Sequence, residues 1–256
     1  MKPIPRNHEK RRFAARSAPD PSEPLWLWGQ HAVEAAISNK NRVILRWVAT
    51  ENAAKRTGLT DVEVMDQKTL AKLLPDNAVH QGIAIKVQPL EPVVLEDVLA
   101  RPDAPERICV LDQISDPHNL GAIFRSAAAF GIGGLVLQTR HTPPLTGVVA
   151  KAAAGAIEAV EEIRVVNIAR ALDALGDAGY HTVGLAGEGA EMLDAAVSGA
   201  QKVVFVMGAE GSGLRPAVAK ACATLARIPM VPGMESLNVS NAAAIAFYEA
   251  MRSRKA

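Results

Sequence analysis

Val203-Val-Phe-Val-Met207 is apolar at every position and runs straight into Gly208. A strand with one wet face alternates polar and apolar side chains. An unbroken apolar run of this length fits a strand covered on both faces. Related runs recur at ICVLDQI (108–114), GGLVLQ (133–138), IRVVN (163–167), HTVGLAG (181–187) and, more briefly, ARIPM (226–230). Between them lie stretches with helical spacing at 119–130, 147–160, 168–175, 215–223 and 242–251. Strand, loop and helix in steady succession specify an α/β domain around a parallel sheet.

The front of the chain has a different texture. Residues 25–88 read as a small α/β domain. It has a helix from Gly29-Gln-His-Ala-Val-Glu-Ala-Ala, a strand over 42–49, a short strand at 62–65, a helix over 67–74 stopped by Pro75, and a strand from His80 to Val87. Residues 89–106 hold four prolines among acidic residues and read as a linker with a short helix over 94–100. Residues 1–24 carry Arg6, Lys10, Arg11, Arg12 and Arg16 with five prolines and few large apolar groups, the pattern of a disordered basic arm. His31 and His80 stand alone and are read as structural.

Charge is distributed unevenly along the chain. Net charge is only +1, but residues 1–90 hold 14 Lys and Arg against 9 Asp and Glu, whereas 91–256 hold 14 against 18. A basic front half is where a polyanion would be gripped. No apolar run approaches a membrane span, and the N-terminus lacks an apolar signal core. Cys109 and Cys222 lie in apolar surroundings and read as two buried thiols of a reducing cytosol.

Three polar, glycine-bearing loops follow strands: Asp116-Pro-His-Asn-Leu-Gly-Ala-Ile-Phe-Arg125, Gly208-Ala-Glu-Gly-Ser-Gly-Leu214, and the stretch from Ile228 through Ser236, Asn238, Ser240 and Asn241 into the last helix. Loops at the carboxyl ends of parallel strands are where such sheets hold ligands. The first strand is not followed by G-x-G-x-x-G, and no G-x-x-x-x-G-K-[ST] exists, so a dinucleotide or an ATP phosphate is a poor candidate. No His, Cys and carboxylate group has zinc spacing. Taken separately, each loop is also readable as a turn or as a well-capped helix start.

Together and in this order, the three loops resemble the three motifs of the SpoU (TrmH) family of RNA ribose 2′-O-methyltransferases, in the SPOUT superfamily. The match runs through roughly the last 150 residues, the size of one ordinary domain. The resemblance implies a deep trefoil knot over 107–256, which periodicity does not show. Chains in general do not knot. Residues 25–88, with HAVEAA and HQGI, resemble the L30e-like substrate-binding domain that precedes the knotted domain in many members. The cofactor implied is S-adenosylmethionine, held largely by main chain at the positions matching Gly208, Ile228 and Leu237. The matching polar residues are Asn119, Glu210, Ser236 and Asn238. Glu210 would fix the loops and the arginine. Arg125 matches the family's arginine, for which both proton removal and phosphate positioning have been considered. A guanidinium suits bidentate phosphate binding and hardly deprotonates, and alanines 127–129 suggest a packed helix around it. Asn241 stands where many members carry a small apolar residue.

The expected protein is therefore a cytoplasmic RNA methyltransferase, homodimeric through the knotted domain and without a membrane segment. The layout most resembles enzymes acting on a guanosine of 23S rRNA. The same reaction on tRNA or another rRNA site, and a non-catalytic role in ribosome assembly, are the alternatives.

Overall fold

The computed structural model describes residues 22–140, 142–234 and 236–253. The basic arm expected over 1–24 lies, apart from its last three residues, outside the described residues.

The front of the chain forms a four-stranded sheet in the order β1-β4-β2-β3, from β1 (Leu25–Trp28), β2 (Ile44–Ala49), β3 (Glu63–Val64) and β4 (Ile83–Val87). β4 pairs antiparallel with both β1 and β2, while β3 pairs parallel with β2. Helix α1 (Gln30–Ser38) buries Ala32, Val33 and Ala36. Helix α2 (Glu51–Thr57) was not anticipated, because ENAAKRT is short and mostly polar. Its ends are nonetheless well defined: Thr50 caps the first turn by accepting from the Ala53 N–H, and Gly58 ends the helix at φ 69°. Helix α3 (Gln67–Ala71) is shorter than the spacing suggested. The β4 strand starts at Ile83, because His80 to Gly82 forms the turn before it: the Thr50 N–H donates to the Gly82 carbonyl and the Gly82 N–H to His80 Nδ1.

The remainder forms a seven-stranded, wholly parallel sheet in the order β7-β6-β5-β10-β8-β11-β9. Its strands are β5 (Arg107–Leu111), β6 (Gly134–Gln138), β7 (Glu161–Val165), β8 (His181–Leu185), β9 (Glu191–Met192), β10 (Val203–Met207) and β11 (Thr224–Arg227). All five residues of β10 are buried, as its composition required. On one face lie α5 (Pro117–Phe130), α6 (Gly147–Ala153), the short α8 (Leu193–Val197) and α10 (Val239–Ser253). On the other lie α4 (Leu95–Ala100), α7 (Ile168–Asp177) and α9 (Pro216–Ala221). The β9–α8 pair was not anticipated. α5 and α10 run side by side and parallel: Asn119 meets Asn238 at their starts, and Phe130 meets Tyr248 edge-on at 5.8 Å further along. Ala128, Ala129, Ile245 and Tyr248 remain exposed on this pair.

The helix expected over 147–160 breaks after Ala153. Ala154 and Gly155 take φ 51° and 93°, and a single 3-10 turn follows at Ala156–Glu158. The cause is tertiary. A side chain at Gly155 would stand 2.6 Å from Ala35 Cβ and 2.9 Å from the His31 carbonyl oxygen, so α1 packs directly on the break. One hydrophobic cluster runs through this seam, joining Val33, Ala36 and Ile85 to Phe124, Ile157 and Phe247. A buried ion pair closes it. Arg42 donates to both carboxylate oxygens of Glu158, at 2.7 and 3.2 Å, and to the Gln88 carbonyl at 2.8 Å, while Asn39 donates to the same carboxylate at 2.7 Å. The connecting segment does not hang free either, since Val93 bridges to Ile163 at the sheet edge.

Candidate active site

The site is built at the carboxyl ends of adjacent strands. Asp112 follows the end of β5, and the chain enters α5 through Asp116, whose side chain accepts the His118 N–H at 2.9 Å, with Pro117 opening the helix. That sets Asn119 in the first turn. Gly208 follows the end of β10, and there the chain doubles back: the Gly213 N–H donates to the Ala209 carbonyl at 2.9 Å. A side chain at Gly208 would collide with the Gly213 and Leu214 backbone, so only glycine lets the two arms of this loop approach so closely. Glu210 stands at its tip. Asn238 caps α10, its side-chain oxygen accepting the Ser240 N–H at 2.9 Å.

These three loops meet in one cluster. Glu210 Oε1 accepts from Asn238 Nδ2 at 2.6 Å, from Asn119 Nδ2 at 3.1 Å and from the Val239 N–H at 3.3 Å. Asn238 Nδ2 also donates to Asn119 Oδ1 at 3.0 Å. Each asparagine uses its amide as a bridge, which a carboxylate or an amine alone cannot do. Of the polar residues expected to act together, Asn119, Glu210 and Asn238 are therefore joined from three separate loops, while Ser236 takes no part in these hydrogen bonds.

A second clasp was not anticipated. Asp112, fully buried, accepts the Arg215 backbone N–H at 3.1 Å and its Nε at 2.8 Å, and Arg215 also donates to Gln138 Oε1 at 3.3 Å. It pins the far end of the 208–214 loop to β5. Cys222 lies nearby, its thiol pushed up to about 12 by burial and by the Asp112 charge; burial also raises the Cys109 thiol. Cys109 is buried as expected, whereas Cys222 is only half-buried.

Between the loops opens a cavity of about 870 Å³, well sized for a small organic ligand. Residues 207–214 form one wall, and 228, 230, 236–239 and 242 form another. Gly208, Ile228 and Leu237 therefore share this cavity lining with Glu210, Ser236 and Asn238, and Asn119 reaches its rim through Glu210. The third wall, Leu185 to Glu188 at the end of β8, was missed. Its A-G-E-G sequence carried the same glycine-at-strand-end signal as the loops that were noticed. Arg125 is placed differently. It is exposed on α5, outside the cavity lining, with no described residue as its partner. The packed surroundings expected for it are only half present: Ala127 is buried, but Ala128 and Ala129 are not.

Fold and cavity together define an α/β protein with a cofactor-sized site at a parallel sheet's carboxyl edge, joined to a smaller mixed-sheet unit. Comparison with known proteins makes the class specific. Residues 106–248 match the SpoU rRNA Methylase family, and residues 26–93 match the RNA 2′-O ribose methyltransferase substrate binding family. The chain belongs to the SpoU methylase family. It is 36% identical over 245 residues to the 23S rRNA (guanosine-2′-O-)-methyltransferase RlmB of Vibrio cholerae, covering 90% of this chain and 97% of that one. It is 37% identical over 243 residues to the RlmB of Shewanella oneidensis, with the same coverage. Among solved structures, an AdoMet-bound rRNA methyltransferase from Sinorhizobium meliloti is 26% identical with a TM-score of 0.73, covering 90% of this chain and 87% of that one. The SpoU methyltransferase AviRb from Streptomyces viridochromogenes, 22% identical with a TM-score of 0.75 and 91% coverage of both chains, shares the fold. Among the described residues, no helix is long and apolar enough to cross a membrane.

Proposed function

We propose that this chain is an S-adenosylmethionine-dependent ribose 2′-O-methyltransferase acting on a guanosine of 23S rRNA, as a homodimer in the cytoplasm. The observation that carries the reading is the Asn119–Glu210–Asn238 cluster at the rim of the 870 Å³ cavity. The residues present suit the cofactor. The lining offers main-chain groups of Gly208, Ile228 and Leu237 for hydrogen bonds to the cofactor, and the Leu185 and Ile228 side chains for the faces of its adenine. When bound, the cofactor supplies an electrophilic methyl on a sulfonium.

The protein's share is placement. Glu210, with Oε1 already taken by three donors, holds the two asparagines and the α10 N-terminus in register. Ser236 and Asn238 line the cavity on its α10 side, where they can meet an incoming ribose. Arg125, free of any described partner, is available to grip the phosphate beside that ribose. The exposed face of the parallel α5–α10 pair, with Ile245 and Tyr248, supports dimerisation there and would bring Arg125 to the interface. We further read 1–24 as an RNA-binding arm, 25–88 as the substrate-binding unit, 89–106 as the linker and 107–256 as the catalytic, knotted domain. The return of the chain from β11 to the start of α5, which sets Asn238 against Asn119, supports a knotted path. Ribose-methylation maps of rRNA and tRNA from cells with and without the gene test the assignment. A single guanosine of 23S rRNA should lose its methyl group; a change confined to tRNA, or none, overturns it.

A further inference from the structure

We propose that Glu188 is the group that recognises the two ribose hydroxyls of the cofactor. The inference rests on the reading that this cavity holds S-adenosylmethionine. Among the described residues lining the cavity there are two carboxylates, Glu188 and Glu210. Glu210 is engaged by Asn119, Asn238 and the Val239 N–H, whereas no described residue pairs with Glu188.

The loop that carries Glu188 is fixed. The Ala186 N–H donates to the Ala226 carbonyl at 3.0 Å and the Gly189 N–H to the Ala186 carbonyl at 3.1 Å. Arg227 donates to the carbonyls of Gly189 and Ala190, so β11 holds the turn from below. The sheet order β5-β10-β8-β11 then decides which part of the ligand Glu188 meets. Asn119 follows β5 and Glu210 follows β10; Glu188 follows β8, two strand spacings from β5, roughly 10 Å. The reacting end lies with Asn119 and Glu210, and the nucleoside end lies toward Glu188 and Ile228. A carboxylate presents two acceptor oxygens side by side, which matches a vicinal diol, as an acidic residue does for the ribose of dinucleotides.

The test is calorimetry on the full-length protein and on Glu188→Ala and Glu188→Gln, with thermal melting as the folding control. Four probes are used: S-adenosylmethionine, S-adenosylhomocysteine, 5′-methylthioadenosine, and the 2′-deoxy form of S-adenosylhomocysteine. Glu188→Ala should weaken the first three alike, by about tenfold, the scale of a hydrogen bond to a charged group. It should change the 2′-deoxy compound by only about threefold, because the 3′-hydroxyl alone is left to lose, and Glu188→Gln should fall between. A loss on S-adenosylmethionine alone would assign Glu188 to the sulfonium, a loss spared in 5′-methylthioadenosine would assign it to the amino-acid end, and no loss would make it a solvated rim; each overturns the proposal. Failure of the unmodified protein to bind any of the four would instead remove the cofactor reading itself.

Discussion

The seam between the two sheets and the rim of the cavity both join segments far apart in the chain, but with opposite chemistry. At the seam, Arg42 and Glu158 form a charge-assisted pair with side chains only 3% and 5% exposed, and α1 rests on Gly155. At the rim, Asn119, Glu210 and Asn238 form a small hydrogen-bonded network that stays open to solvent. A buried pair is expensive to break because it strands a charge out of water. An open network contributes little to stability and holds its atoms where a ligand can reach them. The seam should therefore register in stability and the rim in turnover.

The largest effect is expected at the seam. Glu158→Ala should cost about 3–5 kcal/mol in chemical denaturation, because Arg42 is left buried with only the Gln88 carbonyl. A loss below about 1 kcal/mol would erase the contrast between seam and rim. Next comes Arg125→Ala, expected to lower single-turnover methylation by about 3–4 kcal/mol in barrier, the scale of one transition-state contact, with the melting temperature unchanged. Arg125→Lys should restore little, since lysine lacks the planar fork. Normal turnover in a folded Arg125→Ala protein would remove Arg125 from the site.

Smaller effects sharpen the contrast. Arg215→Ala should destabilise by about 2 kcal/mol, less than a fully buried pair because the Arg215 side chain is 38% exposed while that of Asp112 is not; a loss equal to that of Glu158→Ala would place this clasp with the seam. Asn238→Ala should cost about 1 kcal/mol of stability as a lost helix cap, while turnover falls far more than that loss explains; proportional losses would make the rim merely structural. The smallest effect concerns pH. Burial, and then the Lys151 charge, hold the His80 imidazole below its ordinary value. The unfolded chain then binds the extra proton first, so stability should fall as pH drops through about 6.5 and level off below the folded value. His80→Asn should flatten that part of the pH–stability curve.

The sequence was most legible where a strand needed no partner to be recognised. The all-apolar β10 announced a covered parallel sheet, and Asn119, Glu210 and Asn238 were singled out from loops 91 and 119 residues away from one another. What escaped depends on contacts across the fold. The break at Ala154–Gly155 comes from α1 packing on that turn, which local spacing in 147–160 does not reveal. The Asp112–Arg215 clasp spans 103 residues with no motif to mark it. Helices α2 and α8 are too short for periodicity to register. Arg125 was read as packed because alanines surround it, yet alanine is as much at home on an open helix face as inside.

Contacts that span so much of the chain also set an order of events during synthesis. β10 lies between β5 and β8, so the sheet cannot be completed until residues made late insert beside strands made early. Asn238 and α10 leave the ribosome after nearly everything they must touch. Non-local parallel pairing is slow to form, and domains made first tend to fold first. The front sheet can thus stand ready while the cavity still lacks its last wall. A truncated nascent chain would carry the unit proposed to grip RNA without the residues that complete the pocket, and on that reading it would hold a transcript without altering it.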